Sequence, residues 1–378
     1  MRPTTSSEAS TPAPLIVAMV APSLSILGGQ AVQARHLLDG WRKDREISAF
    51  LVPINPELPV FLQPLARVKY LRTLATQLVY LPSLVRHLRR SDVVHVFSAS
   101  YWSFLLAPLP AVIVARLLGR PVLINYHSGE APDHLRRSAI ARNTLRAVDR
   151  NIVPSPFLQQ VFAEHAIPAQ VIPNIIDREK FRFRPREPLQ PRLLSTRNFE
   201  PLNDVASTLR AFGIIQRRYP AATLTLVGAG SEDASLRRLA AELGLRGVTF
   251  AGRVAPQDIS QYYAAADIYV QTPTIDNMPL SILEAFASGL PVVSTEAGGV
   301  PAMLTDEVHG LLAPVGDAGQ VAAQVVRLLE DSALAHRLTL AACDSTDALV
   351  WERVRDRWAA VYRELCAPSV LEPRTRPI

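Results

Sequence analysis

The polarity pattern of the chain repeats one unit: a short, continuously apolar run, then a turn, then a stretch whose apolar residues recur every three or four positions. Runs at 15–21, 48–54, 93–99, 121–127 and 150–155 form a first series, and runs at 192–196, 222–230, 248–254, 267–273 and 291–297 form a second. Apolar runs of this length suit strands covered on both faces, and their alternation with helical spacing predicts parallel sheets with crossover helices. The fold class is therefore α/β, with two doubly wound Rossmann-like domains, 15–172 and 193–345. Between them, residues 173–192 are dense in Pro and Arg and lack periodicity, which reads as an interdomain linker. A last helix within 346–378 carries Trp351 and Trp358 on one face and is expected to pack back on the first domain. The first 14 residues, rich in Ser, Thr and Pro, read as a disordered tail without the basic start and apolar centre of a signal peptide.

Composition narrows the class. With 378 residues, 48% of them hydrophobic, the chain can bury a core in each of two domains. Its 2 cysteines, Cys343 and Cys366, give neither a disulfide framework nor metal-ligand spacing, so a reducing cytoplasm is the expected home. The apolar stretch at 99–115 contains Pro108 and Pro110 and is closed by Arg116, which favours a buried helix over a membrane span.

The net charge of +6 has one source. Residues 65–90 carry Arg67, Lys69, Arg72, Arg86, Arg89 and Arg90 with no acid, and without them basic and acidic residues balance at 34. Leu65, Val68, Leu71, Leu74, Leu78, Leu81, Val85 and Leu88 recur there at helical spacing, one apolar stripe. The stripe is either buried under a solvated basic face or docks the protein, peripherally, on an anionic membrane. No recognised nucleic-acid motif accompanies the charge, so nucleic acid is not an expected partner.

The densest chemistry lies in "TPTIDNMPLSILEAFASGLPVVSTEAGGVPA", 272–302. Asp276, Asn277 and Met278 lead into Pro279, which suits a helix start, and the helical spacing then runs through Glu284 to Gly289. The free N–H groups of such a start can hold an anion or a sugar hydroxyl. Gly298 and Gly299 follow a further strand, where a missing Cβ lets backbone approach a ligand.

At these residues the sequence resembles the family 4 retaining glycosyltransferases, which carry an acid-x7-acid element followed by a Gly-Gly-x-Pro turn. The chain departs in having Asp276 for the usual first Glu and Ala302 for the usual acid after Pro301. The resemblance extends to Gly28-Gly29 and to "VIPNIID" at 171–177, where Ile175 replaces a usual Gly. It implies the GT-B arrangement, two domains facing across a cleft, and a nucleotide diphosphate sugar as donor. It implies that Glu284 holds the donor ribose and that Asp276, with the Gly298-Gly299 backbone, holds the sugar. Gly28 and Gly29 would line the cleft near the donor diphosphate, Gly228 the nucleotide site, and Val254 the base.

Arg197 ends the first strand of the second domain, where a guanidinium can neutralise a departing diphosphate. The family follows this Arg with a Lys, and here Asn203 stands in its place; Arg253 or the helix start near Pro279 is expected to supply what the Lys would. His127 follows an apolar strand and is expected to point into the cleft close to the transferred sugar, with Glu130 and His134 on the acceptor side. His95, inside a strand, reads as a core residue. No Ser or Cys partners these histidines, so a hydrolase triad has no basis. The Gly228-x-Gly230 turn is not followed by the third Gly or the ribose-binding acid of a dinucleotide site. No cofactor or metal is expected, since GT-B proteins need none and no Asp-x-Asp spacing occurs in the cleft motifs.

The expected activity is sugar transfer, with retention, to a carbohydrate or lipid-linked acceptor. Two alternatives remain open. One is a nucleotide-sugar-binding or scaffold protein that has lost transfer, suggested by Asn203, Asp276 and Ala302. The other is a sugar-nucleotide epimerase on the same architecture.

Overall fold

The computed structural model describes residues 13–24 and 28–367; most of the tail expected at 1–14 lies outside them. The first domain comprises β1 (Leu15–Ala21), α1 (Gly29–Trp41), β2 (Ile47–Pro53), α2 (Lys69–Leu88), β3 (Val93–Ser98), α3 (Tyr101–Leu106), α4 (Pro108–Leu117), β4 (Val122–Tyr126), α5 (Ala131–Arg137), α6 (Ala139–Ala147), β5 (Arg150–Val153), α7 (Pro156–Glu164) and β6 (Gln170–Val171). The second comprises β7 (Arg192–Ser195), α8 (Val205–Arg218), β8 (Thr223–Val227), α9 (Asp233–Glu242), β9 (Val248–Gly252), α10 (Ile259–Ala265), β10 (Ile268–Val270), α11 (Leu280–Ala287), β11 (Val292–Thr295), α12 (Val300–Met303), β12 (Leu311–Ala313), α13 (Ala318–Glu330) and α14 (Ser332–Ser345). A final helix, α15 (Trp351–Cys366), returns to the first domain.

Each domain holds a 6-stranded sheet whose paired strands are all parallel, ordered β2-β1-β3-β4-β5-β6 and β12-β11-β10-β7-β8-β9. The unbroken apolar runs are explained by cover on both faces. Along β1, Ala18 and Val20 join one core with Leu84 and Phe104, while Val17 and Met19 join another with Leu37 and Trp358. Strand residues alternate faces, so one apolar run feeds both cores.

The stretch at 99–115 forms two short helices, with Phe104, Ala111, Val112 and Ala115 buried. Among the described residues no helix is long and apolar enough to cross a membrane. Helix α2 corrects one alternative drawn from the sequence. Its inner face is Ala75, Tyr80, Leu84 and Leu88, whereas Leu71, Leu74, Leu78 and Leu81 are 43%, 59%, 60% and 42% exposed. The core takes the smaller residue Ala75 and turns most of the leucine stripe to solvent.

Residues 173–192 are not a free tether. Asp267, 1% exposed, accepts from Arg184 at 2.9 Å and from Arg192 at 2.7 Å. The buried Arg186 guanidinium donates to the carbonyls of Ala266 at 2.8 Å, Arg184 and Ser288 at 2.6 Å, and Gly289 and Tyr263 at 2.8 Å. Because a buried cation needs its donors filled, this Arg-rich stretch is bound to the second domain. Crossing back, α15 stacks Trp358 on His95, with ring centroids 4.8 Å apart, and sets Trp351 edge-on to Trp41 at 4.7 Å.

Candidate active site

In the second sheet the strand order reverses between β7 and β10, so the loops leaving their carboxyl ends diverge and open a crevice. Residues 196–198 leave β7 and residues 271–279 leave β10. The first domain faces this crevice with Gly28 and Gly29 at the start of α1 and with His127 at the end of β4. The resulting cleft has a volume of about 430 Å³ and is lined from both domains, by Gly28, Gly29, His36 and His127 on one side and by Arg197, Gly228, Asp276 and Glu284 on the other.

Arg197 and Asp276 meet directly, Nη2 to Oδ2, at 2.7 Å. The same Nη2, together with Nε, donates to Asn203 Oδ1, at 2.5 Å and 3.1 Å, and Nη1 lies 3.4 Å from Ser281 Oγ. The planar fork is thus fixed before any ligand arrives, the preorganisation that electrostatic stabilisation requires.

Glu284 stands on α11, at the cleft wall. Its Oε2 accepts from the Tyr263 hydroxyl at 2.7 Å, which is 2.6 Å from Thr196 Oγ1. Behind these, Gln271 accepts from Ser281 at 3.1 Å and donates to Ser294 at 3.2 Å. Desolvation pushes the Glu284 pKa up from 4.5 to about 7, against the opposing pull of the Tyr263 hydrogen bond and the charges of Lys180 and Arg197. Burial lowers His127 to about 4, so its ring is neutral near pH 7 and serves as a hydrogen-bonding group rather than a cation. His127 stacks on Phe97 with centroids 5.4 Å apart, and its Nε2 has no partner among the described residues.

Of the residues singled out from the sequence, Gly28, Gly29, His127, Arg197, Gly228, Arg253, Val254, Asp276, Asn277, Met278, Pro279 and Glu284 all line this cleft. Four do not. Gly299 spends its N–H on Asp276 O at 3.0 Å, and an added Cβ at Gly298 or Gly299 would come within 2.3 Å of Asp276 O or Asn277 O. These glycines therefore seat the acidic loop. His134, 1% exposed, bonds the Tyr126 hydroxyl at 2.8 Å inside the first core, and Glu130 sits at the start of α5 outside the lining. His95 is buried, bonded to Tyr362 at 2.7 Å.

The acidic loop is also where the domains touch. Asn277 accepts from Ser155, Asn174 donates to Met278 O at 3.0 Å, and Gly129 is close enough that an added Cβ would lie 2.9 Å from the Asp276 carbonyl carbon. Sequence reasoning missed Lys180 and His36, which line the cleft, and the Thr196, Tyr263 and Gln271 network beneath it. The tyrosine and Gln271 sit in runs that read only as helix and strand; Lys180 lies in a segment without periodicity.

Two apposed Rossmann-like domains, with a polar cleft at the carboxyl ends of their strands, define the GT-B class. The chain belongs to glycosyltransferase family 4: residues 27–180 match the profile "Glycosyltransferase Family 4" and residues 190–331 match "Glycosyl transferases group 1". It is 26% identical over 309 residues to sulfoquinovosyl transferase SQD2 of Arabidopsis thaliana, covering 75% of this chain and 59% of that protein. It is 34% identical over 178 residues to D-inositol 3-phosphate glycosyltransferase of Saccharomonospora viridis, 44% of this chain and 41% of that one. The chain thus spans roughly two-fifths to three-fifths of the length of these curated relatives. Among solved structures, Anabaena Alr3699/HepE in complex with UDP and glucose superposes with a TM-score of 0.72 at 20% identity, covering 93% of this chain and 100% of that one. Sucrose-phosphate synthase (tll1590) of Thermosynechococcus elongatus gives 0.75 at 21%, covering 93% and 99%. At this identity the likeness shows the fold.

Proposed function

We propose that the chain transfers a sugar from a nucleotide diphosphate sugar to a carbohydrate or lipid-linked acceptor, with retention at the anomeric carbon. The observation that carries this reading is the fixed Arg197 fork beside Asp276 in a cleft that also presents Glu284. Arg197 and the start of α11 stabilise charge on the departing diphosphate, Glu284 holds the ribose, and Asp276 holds a sugar hydroxyl. His127, neutral, offers a hydrogen bond to the transferred sugar. The sugar–phosphate bond breaks, the acceptor oxygen bonds the same face of the anomeric carbon, and its proton passes to the leaving phosphate oxygen. No metal takes part, so turnover should survive EDTA. The relatives' names, all of sugar transferases, and the UDP-bound neighbour support the donor class.

The test is nucleotide diphosphate release from UDP-, GDP- and ADP-sugars by the wild type, Arg197→Ala and Glu284→Ala. Loss of an oriented donor at a leaving group costs roughly 10²–10³ in kcat, and unchanged turnover in Arg197→Ala refutes the assignment. The neutral Asn203 opposite Arg197 favours one alternative, a binding protein, which donor affinity without release would select. Sugar-nucleotide conversion without acceptor would select an epimerase.

We also infer that the protein attaches peripherally to the cytoplasmic face of an anionic membrane through residues 65–90. Supporting this, the exposed Leu71, Leu74, Leu78 and Leu81 share α2 with exposed Arg72 and Arg86, and Arg89 and Arg90 follow. Equal sedimentation with anionic and zwitterionic vesicles would refute it.

A further inference from the structure

The cleft holds two carboxylates, and under the reading above it must also take a diphosphate, yet its most extensively hydrogen-bonded cation is already engaged. Arg197 is paired with Asp276 at 2.7 Å, and its Nη2 and Nε are both tied to Asn203. Two groups that neutralise each other leave little net positive charge for a ligand bearing two or three negative ones. Of the remaining cations in the lining, Arg35 donates Nη2 to Leu24 O at 2.8 Å and Arg253 is exposed. Lys180 is different. It is half-buried in the lining, and among the described residues it makes no ion pair.

Its position is fixed by its neighbours. The Lys180 N–H donates to Asp177 Oδ1 at 3.0 Å. The next residue, Phe181, is 2% exposed and packs edge-on to Tyr263 with ring centroids 5.4 Å apart, while the Lys180 ammonium lies 5.0 Å from the Phe181 centroid. Tyr263 is the residue that bonds Glu284. Lys180 is thereby held at the Glu284 end of the cleft, near enough for its charge to act on both Glu284 and His36. A compact ammonium on a flexible stem is suited to phosphate oxygens, which it meets as a point charge without the planar geometry a guanidinium demands.

We propose that Lys180 is the second cation of the donor site, contacting the nucleotide's phosphate oxygens from the interdomain segment while Arg197 contacts them from the β7 turn. This rests on the glycosyl-transfer reading. It assigns to a residue outside both sheets the charge that Asn203 lacks. It also predicts a functional substitute: a lysine at 203 should replace the one at 180, since both would serve the same charge.

The experiment measures affinity for UDP, GDP and ADP, and for the corresponding nucleosides, in the wild type, Lys180→Met, Lys180→Arg and the double variant Lys180→Met/Asn203→Lys. Loss of a charge-assisted contact should weaken the preferred diphosphate at least about tenfold in Lys180→Met. Nucleoside affinity and melting temperature should stay at the wild-type values, which a merely structural role would not leave in place. Lys180→Arg should keep most of the affinity, and Asn203→Lys should restore part of what Lys180→Met removes. Diphosphate affinity in Lys180→Met equal to wild type, or an equal loss for nucleoside and diphosphate, overturns the proposal and leaves the glycosyl-transfer reading intact. Failure of the wild type to bind any of the three diphosphates overturns both.

Discussion

Glu284 makes the stability of the empty protein depend on pH, and replacing it by Gln isolates that dependence. Its folded pKa, about 7, lies above the 4.5 of an unperturbed glutamate because the carboxylate is desolvated at the cleft wall. A raised folded value means that the stabilisation is fully present below pH 4.5 and is lost as pH rises through about 7. At about 1.4 kcal/mol for each tenfold change in proton affinity, the loss between pH 5 and pH 8 is roughly 2–3 kcal/mol. Glu284→Gln keeps the side-chain shape and an oxygen for the Tyr263 hydroxyl, and it cannot ionise. For a domain of this size about 1 kcal/mol moves the melting temperature by roughly 2–4 °C. Thermal unfolding at pH 5 and pH 8, without nucleotide, should therefore show the variant gaining roughly 5–10 °C on the wild type over that interval. If the difference between the two proteins is the same at both pH values, within about 1 °C, Glu284 is not held protonated by burial and the electrostatic account of the site fails.

Arg186→Met should cost about 3–5 kcal/mol, because the variant leaves five carbonyls without their shared donor; a melting temperature within about 2 °C of wild type would contradict the account of the linker. Gly299→Ala should destabilise by roughly 1–3 kcal/mol and weaken nucleotide binding, since its Cβ would lie 2.3 Å from Asn277 O and displace the acidic loop. Gly28→Ala, with nothing among the described residues within 4 Å of its Cβ, should change stability by less than about 0.5 kcal/mol in the same melts. Leu78→Glu, at a position 60% exposed, should leave the melting temperature unchanged and reduce sedimentation with anionic vesicles at least severalfold.

Much of the fold was legible because both sheets are covered on two faces, so their strands stand out as unbroken apolar runs. The cleft loops were legible for the same reason: Arg197, Gly228 and Asp276 follow such runs, and a doubly wound sheet sends the ends of its strands toward one edge. What the sequence hid depends on contacts between distant segments. Gly298 and Gly299 look like ligand-binding backbone until Asp276 and Asn277 are found packed on them. The leucines of α2 look like a core stripe, yet the inner face is chosen by Ala75 and Tyr80, which fit against the first domain and which spacing alone does not favour. Lys180 carries no local signal at all; only the docking of Phe181 under Tyr263 brings it to the cleft.

The passage from one domain to the other occupies very little chain. Ile175 is buried in the core shared by β1 and α15, and the next residue, Ile176, is buried in the core of the second domain. The return crossing runs from Leu349 to Trp351, and Ile176 N donates to Leu349 O at 3.0 Å, binding the two crossings together. The two crossings thus lie side by side, clamped on one side by Gln33, which exchanges bonds of 2.8 Å with both the N–H and the carbonyl of Ile175. A swing of the domains would have to change backbone torsions in both crossings, at Ile175–Ile176 and at Leu349–Trp351, where no glycine supplies free φ. The setting of the two domains, and with it the aperture offered to a substrate, is thus held where two short, buried, mutually bonded crossings adjoin.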